Sequence, residues 1–139
     1  MSERGKIKYL NRYKQLISYE GLVRHRNITP TDIDGFIDYN GCAFFYIEGK
    51  HEDKYNNGGL DFGQKRAIEN LVNSNTQAGH TAAAIVFTHT CNSDEVIMAE
   101  KQPVREVYFQ KKWTKTTNCN VLDSIDRFEK YCKNINIDI

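Results

Sequence analysis

The chain has 139 residues, 40% of them apolar and 27% charged, which are ordinary values for one soluble globular domain and exclude an intrinsically disordered chain. Its net charge of +1 does not by itself indicate a nucleic-acid-binding protein. No apolar run approaches the roughly 20 residues of a membrane span, and the N-terminus lacks the apolar stretch of a signal peptide. We therefore expect a single cytoplasmic domain over residues 1–139 that does not associate with membranes.

The first predicted element is a helix over residues 6–20. Leu10, Tyr13 and Ile17 recur at helical spacing, with basic residues between them. The segment 27–30, which ends in Pro30, then stops the helix and begins an extended stretch. The basic residues either form a solvated helix face or contact phosphates, and the solvated face is the simpler interpretation.

Residues 31–50 are predicted to form a β-hairpin. Residues 32–38 read as a strand, and Asn40-Gly41 is a strong hairpin signal. Residues 43–47 are apolar on both faces, which is typical of a strand in the middle of a covered sheet.

A crossover unit follows the hairpin. We expect a polar loop over residues 51–59, a helix over 62–77 and a second buried strand over 82–88. Gln64, Ile68, Leu71 and Asn75 lie along one face of that helix, and Gly79 suits its end. A strand, a helix and a strand in this order imply parallel pairing with a right-handed connection.

The C-terminal part is predicted to add a short strand at 95–100 and a closing helix at 121–132 that Asn120 caps. The segment 104–110 is ambiguous. The predicted fold class is therefore α/β, with a mixed central sheet flanked by helices.

Charged residues at the strand ends are the candidate functional groups. Because side chains alternate between the two faces of a strand, Glu48 and Lys50 lie on one face at the end of a buried strand. Their burial is tolerable if the two charges pair or if a bound cation joins them. Asp32 and Asp34 likewise share a face of the preceding strand.

The hairpin register decides whether these acids meet. A two-residue loop pairs Tyr39 with Cys42 and leaves no aspartate opposite Glu48. A three-residue loop over 39–41 places Asp32 opposite Glu48 and Asp34 opposite Tyr46. A shared site requires this second register or an equivalent bulge.

Asp34, then Glu48-Gly49-Lys50 after a hairpin, and a helix that opens with Gly63-Gln64, together resemble the PD-(D/E)XK nuclease superfamily. The likeness is greatest to its small Holliday-junction-resolvase-like and Mrr-like members, and it covers residues 7–90. It implies a restriction-endonuclease-like αβββαβ core and a stand-alone nuclease of the kind that phages and mobile elements carry.

The resemblance also implies roles for these residues. Asp34, Glu48 and the Gly49 carbonyl would bind Mg²⁺, for which Mn²⁺ can substitute, and Lys50 would orient or deprotonate the attacking water. Gln64 would lie near the site. The substrate would be DNA or, less readily, RNA, cut as an endonuclease or an exonuclease.

Departures from the family pattern leave alternatives open. The family's Pro-Asp is here Pro30-Thr31-Asp32, so Asp32 and Asp34 compete for the metal. We prefer Asp34, which directly precedes the apolar part of the strand, with Asp32 as an outer ligand. The middle motif residue, usually apolar, is Gly49. Glu20 is a weaker candidate for the acidic residue that the family often keeps in the first helix.

Other functions remain compatible with the sequence. The near-neutral charge favours a nuclease-fold protein that no longer cuts and instead binds nucleic acid or inhibits a protein partner such as a host defence factor. A basic, aromatic stretch around Trp113 would bind phosphates and bases or form a homodimer interface. The four cysteines are expected to be free, and His89 with Cys91 supplies only two ligands for zinc.

Overall fold

The computed structural model describes residues 18–139, of which residues 18–31 and residues 32–139 belong to two separate units. In the first unit, the described residues hold two three-residue 3-10 helices, Glu20–Leu22 and His25–Asn27. The predicted helix over 6–20 falls outside the described residues except at its last three positions, and there Glu20 begins the first 3-10 helix.

The second unit is built on a five-stranded mixed sheet whose spatial strand order equals the chain order. The second and third strands are parallel, as the crossover pattern predicts, and the other neighbours are antiparallel. The strands are β1 (Gly35–Tyr39), β2 (Ala43–His51), β3 (Thr81–His89), β4 (Val104–Phe109) and β5 (Lys112–Lys115).

Three α-helices accompany the sheet: α1 (Glu52–Asn56), α2 (Phe62–Gln77) and α3 (Val121–Asn134). Helix α2 is the predicted crossover between β2 and β3, and it ends where Gly79 adopts a φ of 91°. None of the helices in the described range combines the length and apolar character needed to cross a membrane. The α/β fold class is thus confirmed, with a mixed sheet flanked by helices.

Two local predictions were wrong. Residues 51–59 are not all loop, because the His51 ring nitrogen Nδ1 accepts a hydrogen bond from the Asp53 amide and caps the short helix α1. Residues 95–100 do not form a strand: Ile97 and Ala99 pack against the core, but the segment joins no strand of the sheet and runs into the 3-10 helix Ala99–Lys101. The strands of this region are β4 and β5, and the described residues hold two strands before the crossover helix, where the family core has three.

The sheet buries a separate apolar cluster on each face. On one face, Phe45, Ile85 and Phe87 of the sheet pack with Phe128 and Cys132 of α3. The opposite face is covered by α1 and α2, and its members are Tyr46, Tyr55, Leu60, Ile68, Val72, Ala82, Ala84, Val86 and Tyr108. Alternation along β2 and β3 distributes their side chains between the two clusters. The charged residues of the candidate site lie on the α2 face.

Candidate functional site

The turn of the β1–β2 hairpin sets the relative positions of the acidic residues. Asn40 and Gly41 adopt positive φ angles of 53° and 77°, and the Cys42 amide donates to the Tyr39 carbonyl over 3.0 Å. Tyr39 then pairs with Ala43, so Cys42 is left out of the ladder. This register matches neither prediction: the three-residue loop is 40–42 rather than 39–41.

The observed register brings Asp34 to Glu48. The ladder ends at the pair of Gly35 with Ile47, and Asp34 lies just beyond it, where its charge acts on Glu48. Neither Asp32 nor Asp34 belongs to β1, so the predicted pairs of Asp32 with Glu48 and of Asp34 with Tyr46 do not form, and Tyr46 pairs with Phe36 instead. The Oδ2 atom of Asp34 accepts a hydrogen bond of 2.8 Å from the Gly49 amide, which attaches this side chain to the end of β2.

Glu48 is a buried carboxylate with incomplete hydrogen bonding. It is 4% exposed, and its Oε1 lies 3.5 Å from the amide nitrogen of Gln64, in the first turn of α2. Glu48 Oε2 and Gln64 Oε1 are both buried and have no hydrogen-bond partner. Buried polar atoms are nearly always paired, because leaving one unpaired costs roughly 1–3 kcal/mol. Two such oxygens in contacting side chains therefore indicate a site for a group that would satisfy them.

The environment of Glu48 favours its protonated form. Burial is the largest cause that raises the pKa of Glu48, and the negative charge of Asp34 adds to it, with a smaller addition from Asp32. The positive charge of Lys50 and a backbone hydrogen bond from Asp34 act in the opposite direction, but the pKa of Glu48 still rises to about 7. A cation placed against this carboxylate would offset both the burial and the repulsion.

Gly49 has a packing role that the sequence did not reveal. A Cβ atom at this position would lie less than 3 Å from three atoms of the Phe87 ring on β3. The absence of a side chain lets Phe87 pack over the backbone between Glu48 and Lys50.

Lys50 and two histidines surround the same strand ends. Lys50 is partly buried and pairs across the parallel ladder with the buried Thr88. On the opposite face, the rings of His51 and His89 meet edge to face with centroids 5.3 Å apart. Burial and the neighbouring His51 lower the pKa of His89, while Asp34 raises it. No sequence pattern indicates this pair, because only the parallel register of β2 and β3 brings the histidines together.

The donor set of the site suits a hard cation better than zinc. Asp34, Glu48, Gln64 and the Gly49 carbonyl offer oxygen, which Mg²⁺ prefers, and Mg²⁺ commonly binds through one or two carboxylates while keeping several waters. The two unpartnered oxygens fit such an occupant. Within residues 18–139, no group of three or more His, Cys, Asp or Glu side chains is arranged to hold a metal. Neither His89 with Cys91 nor the acids Asp32, Asp34 and Glu48 therefore form such a group in the described residues.

Comparison of this chain with protein-family models, with curated proteins and with solved structures gives no match.

Proposed function

We propose that this protein is a metal-dependent phosphodiesterase that hydrolyses nucleic acid, DNA in preference to RNA. The observation that carries the proposal is the unpartnered, buried oxygen of Glu48 beside Asp34 and Gln64. A carboxylate in this state is costly unless an additional group completes its surroundings. Because the available donors are oxygens, a divalent cation of the Mg²⁺ type is the group that suits them, and Mn²⁺ would substitute.

Each residue has a role in this proposal. Asp34, Glu48 and the Gly49 carbonyl would hold the cation, with Asp32 as an outer acid and Gln64 fixing the carboxylate of Glu48. The bound cation would lower the pKa of a water molecule and stabilise negative charge on the phosphoryl group. Lys50, two residues beyond Glu48 on the same strand, would orient or deprotonate water and offset charge on the phosphate.

Cleavage assays test the proposal. The protein is incubated with supercoiled, linear, branched and single-stranded DNA and with RNA, in Mg²⁺ or Mn²⁺. We expect Glu48→Gln and Lys50→Ala each to reduce the rate on the order of a hundredfold or more, the scale for loss of a charge-stabilising or proton-transfer group. Lys54→Ala is the matched control, because Lys54 is an exposed lysine in α1, four residues beyond Lys50.

The second candidate function is a nuclease-fold protein that binds without cutting. The near-neutral net charge of +1 suits this function better than tight DNA binding, and the raised pKa of Glu48 weakens cation binding relative to a fully ionised acidic site. Its partner would be nucleic acid or a protein such as a host defence factor. Absence of cleavage by the wild-type protein on every substrate, with binding retained, would favour this function over the first.

A further inference from the structure

A second polar pocket lies on the α2 face of the sheet, beside the proposed site. It has a volume of about 380 Å³ and is lined by Lys65, Glu106 and Lys115, by Tyr55 and by residues 56 and 58–60. Lys65 directly follows Gln64 in the first turn of α2.

The carboxylate of Glu106 neutralises only part of the positive charge at this pocket. Glu106 is 4% exposed, and its Oε1 lies 3.0 Å from Lys115 Nζ and 3.9 Å from Lys65 Nζ. Burial alone would raise the pKa of Glu106, but the hydrogen bond from Lys115 and the charges of both lysines outweigh it and lower that pKa. Glu106 is therefore an anion at neutral pH, shared between two cations.

Arg105, at a β-bulge, is a third cation that lies beside the pocket and contacts two of its lining residues, Tyr55 and Asn56. The β3–β4 ladder shifts between Val86, which pairs with Glu106, and Phe87, which pairs with Val104. Arg105 is the extra residue, and a bulge redirects a side chain from its regular alternation. Its guanidinium lies 4.9 Å from the centre of the Tyr55 ring and 3.3 Å from the Asn56 side-chain oxygen.

The charges at the pocket therefore do not balance. Three cations stand against one carboxylate, and among the described residues no carboxylate lies within salt-bridge distance of Arg105. The Lys115 side chain is 75% exposed and that of Lys65 is 38% exposed. Lys115 Nζ also donates to the Tyr55 hydroxyl over 3.0 Å, and Lys65 Nζ lies 4.9 Å from the centre of the Trp113 ring. An excess of two positive charges around a polar pocket matches a phosphate group.

The pocket lies in line with Glu48. Glu48 pairs with Val86, and Val86 pairs with Glu106, so the two glutamates occupy one row on the same face. Two strand separations place their backbones roughly 10 Å apart. We propose that Lys65, Arg105 and Lys115 bind a backbone phosphate of a nucleic-acid strand whose neighbouring phosphate lies at Glu48. The assignment of the second phosphate to Glu48 rests on the proposed function.

Binding of labelled DNA without cleavage tests the pocket. Fluorescence anisotropy with a labelled oligonucleotide, single-stranded and duplex, is measured in EDTA over a series of NaCl concentrations. The test variant is Lys65→Gln with Arg105→Gln, which leaves Lys115 to neutralise the buried Glu106. The control is Lys112→Gln with Lys130→Gln, which removes the same charge from exposed positions on β5 and α3.

The pocket predicts a selective loss of affinity. The test variant should bind DNA on the order of tenfold more weakly, and its slope of log affinity against log salt should fall by about 0.7–0.9 for each lost phosphate contact. The control should retain the wild-type slope. Equal losses in both variants, or no DNA binding by the folded wild-type protein, would overturn the proposal.

Two further readouts separate this inference from the proposed function. If the wild-type protein binds DNA through the pocket but never cleaves it, the pocket stands and the phosphodiesterase proposal fails. If the wild-type protein cleaves DNA while the test variant binds DNA normally, the phosphodiesterase proposal stands and the pocket proposal fails. An NMR titration with inorganic phosphate identifies the source of the ligand: resonance shifts at Lys65 and Arg105 with phosphate but not with DNA would overturn the assignment to nucleic acid.

Discussion

Glu48 and Gln64 are the residues for which sequence and structure correspond most directly. The apolar stripe of helix α2 predicts that Gln64 points to the sheet, and the 3.5 Å contact between Gln64 and Glu48 agrees with this prediction. The position of Asp34 could not be predicted from these strand and helix patterns. It depends on Cys42 being left out of the ladder, which only the turn geometry decides.

Gly49→Ala should destabilise the protein because the new methyl group would overlap the buried Phe87 ring. Overpacking of this kind costs about 1–3 kcal/mol in the free energy of unfolding, which urea denaturation measures. Gly35→Ala is the matched control, since Gly35 is also a strand glycine and a Cβ there meets nothing within 4 Å. Equal stability of the two variants would contradict the packing role of Gly49.

Among the elements, those with long periodic patterns were predicted and those that depend on local capping or on neighbours were not. Helix α2 and strand β3 have continuous signals, and the structure confirms both. Helix α1 has five residues and depends on the His51 cap, so it is too short for a periodic sequence pattern to predict it. Strand β5 is short and mostly exposed, and it is defined by pairing with β4 rather than by its own pattern.

Helix α3 begins with a capping box that gives a prediction at this scale. The Asn120 side chain accepts from the Asp123 amide over 2.7 Å, and the Asp123 carboxylate accepts from the Asn120 amide over 3.2 Å. Asn120→Ala should lower the free energy of unfolding by about 1 kcal/mol in thermal or urea denaturation. Asn120→Asp retains the acceptor and should restore most of the stability; equal loss in both variants would rule out the cap as the cause.

For the whole molecule, the pKa of Glu48 links stability to pH. Folding raises it from 4.5 to about 7, so the folded protein holds this proton more tightly than the unfolded chain. The corresponding stability is present below pH 4.5 and is lost as pH rises through about 7, at a cost of at most about 3 kcal/mol.

The measurement compares wild type with Glu48→Gln by urea denaturation in EDTA. Gln cannot ionise, so the variant should gain stability relative to wild type between about pH 5 and about pH 8. Addition of Mn²⁺ near pH 8 should stabilise the wild-type protein and leave Glu48→Gln nearly unchanged, because a ligand stabilises only the state that binds it. A difference between the two proteins that stays constant with pH would contradict the assignment.

The agreement between spatial strand order and chain order has a consequence for biosynthesis. Each strand from β2 onward joins an edge formed by the strand made just before it, so the sheet of residues 32–139 can grow in the direction of translation. Asp34, Glu48 and Gln64 are therefore synthesised before β4 and β5. The cationic pocket is complete only after these last two strands have been synthesised. A chain truncated after β3 would therefore contain the acidic site but lack Arg105 and Lys115.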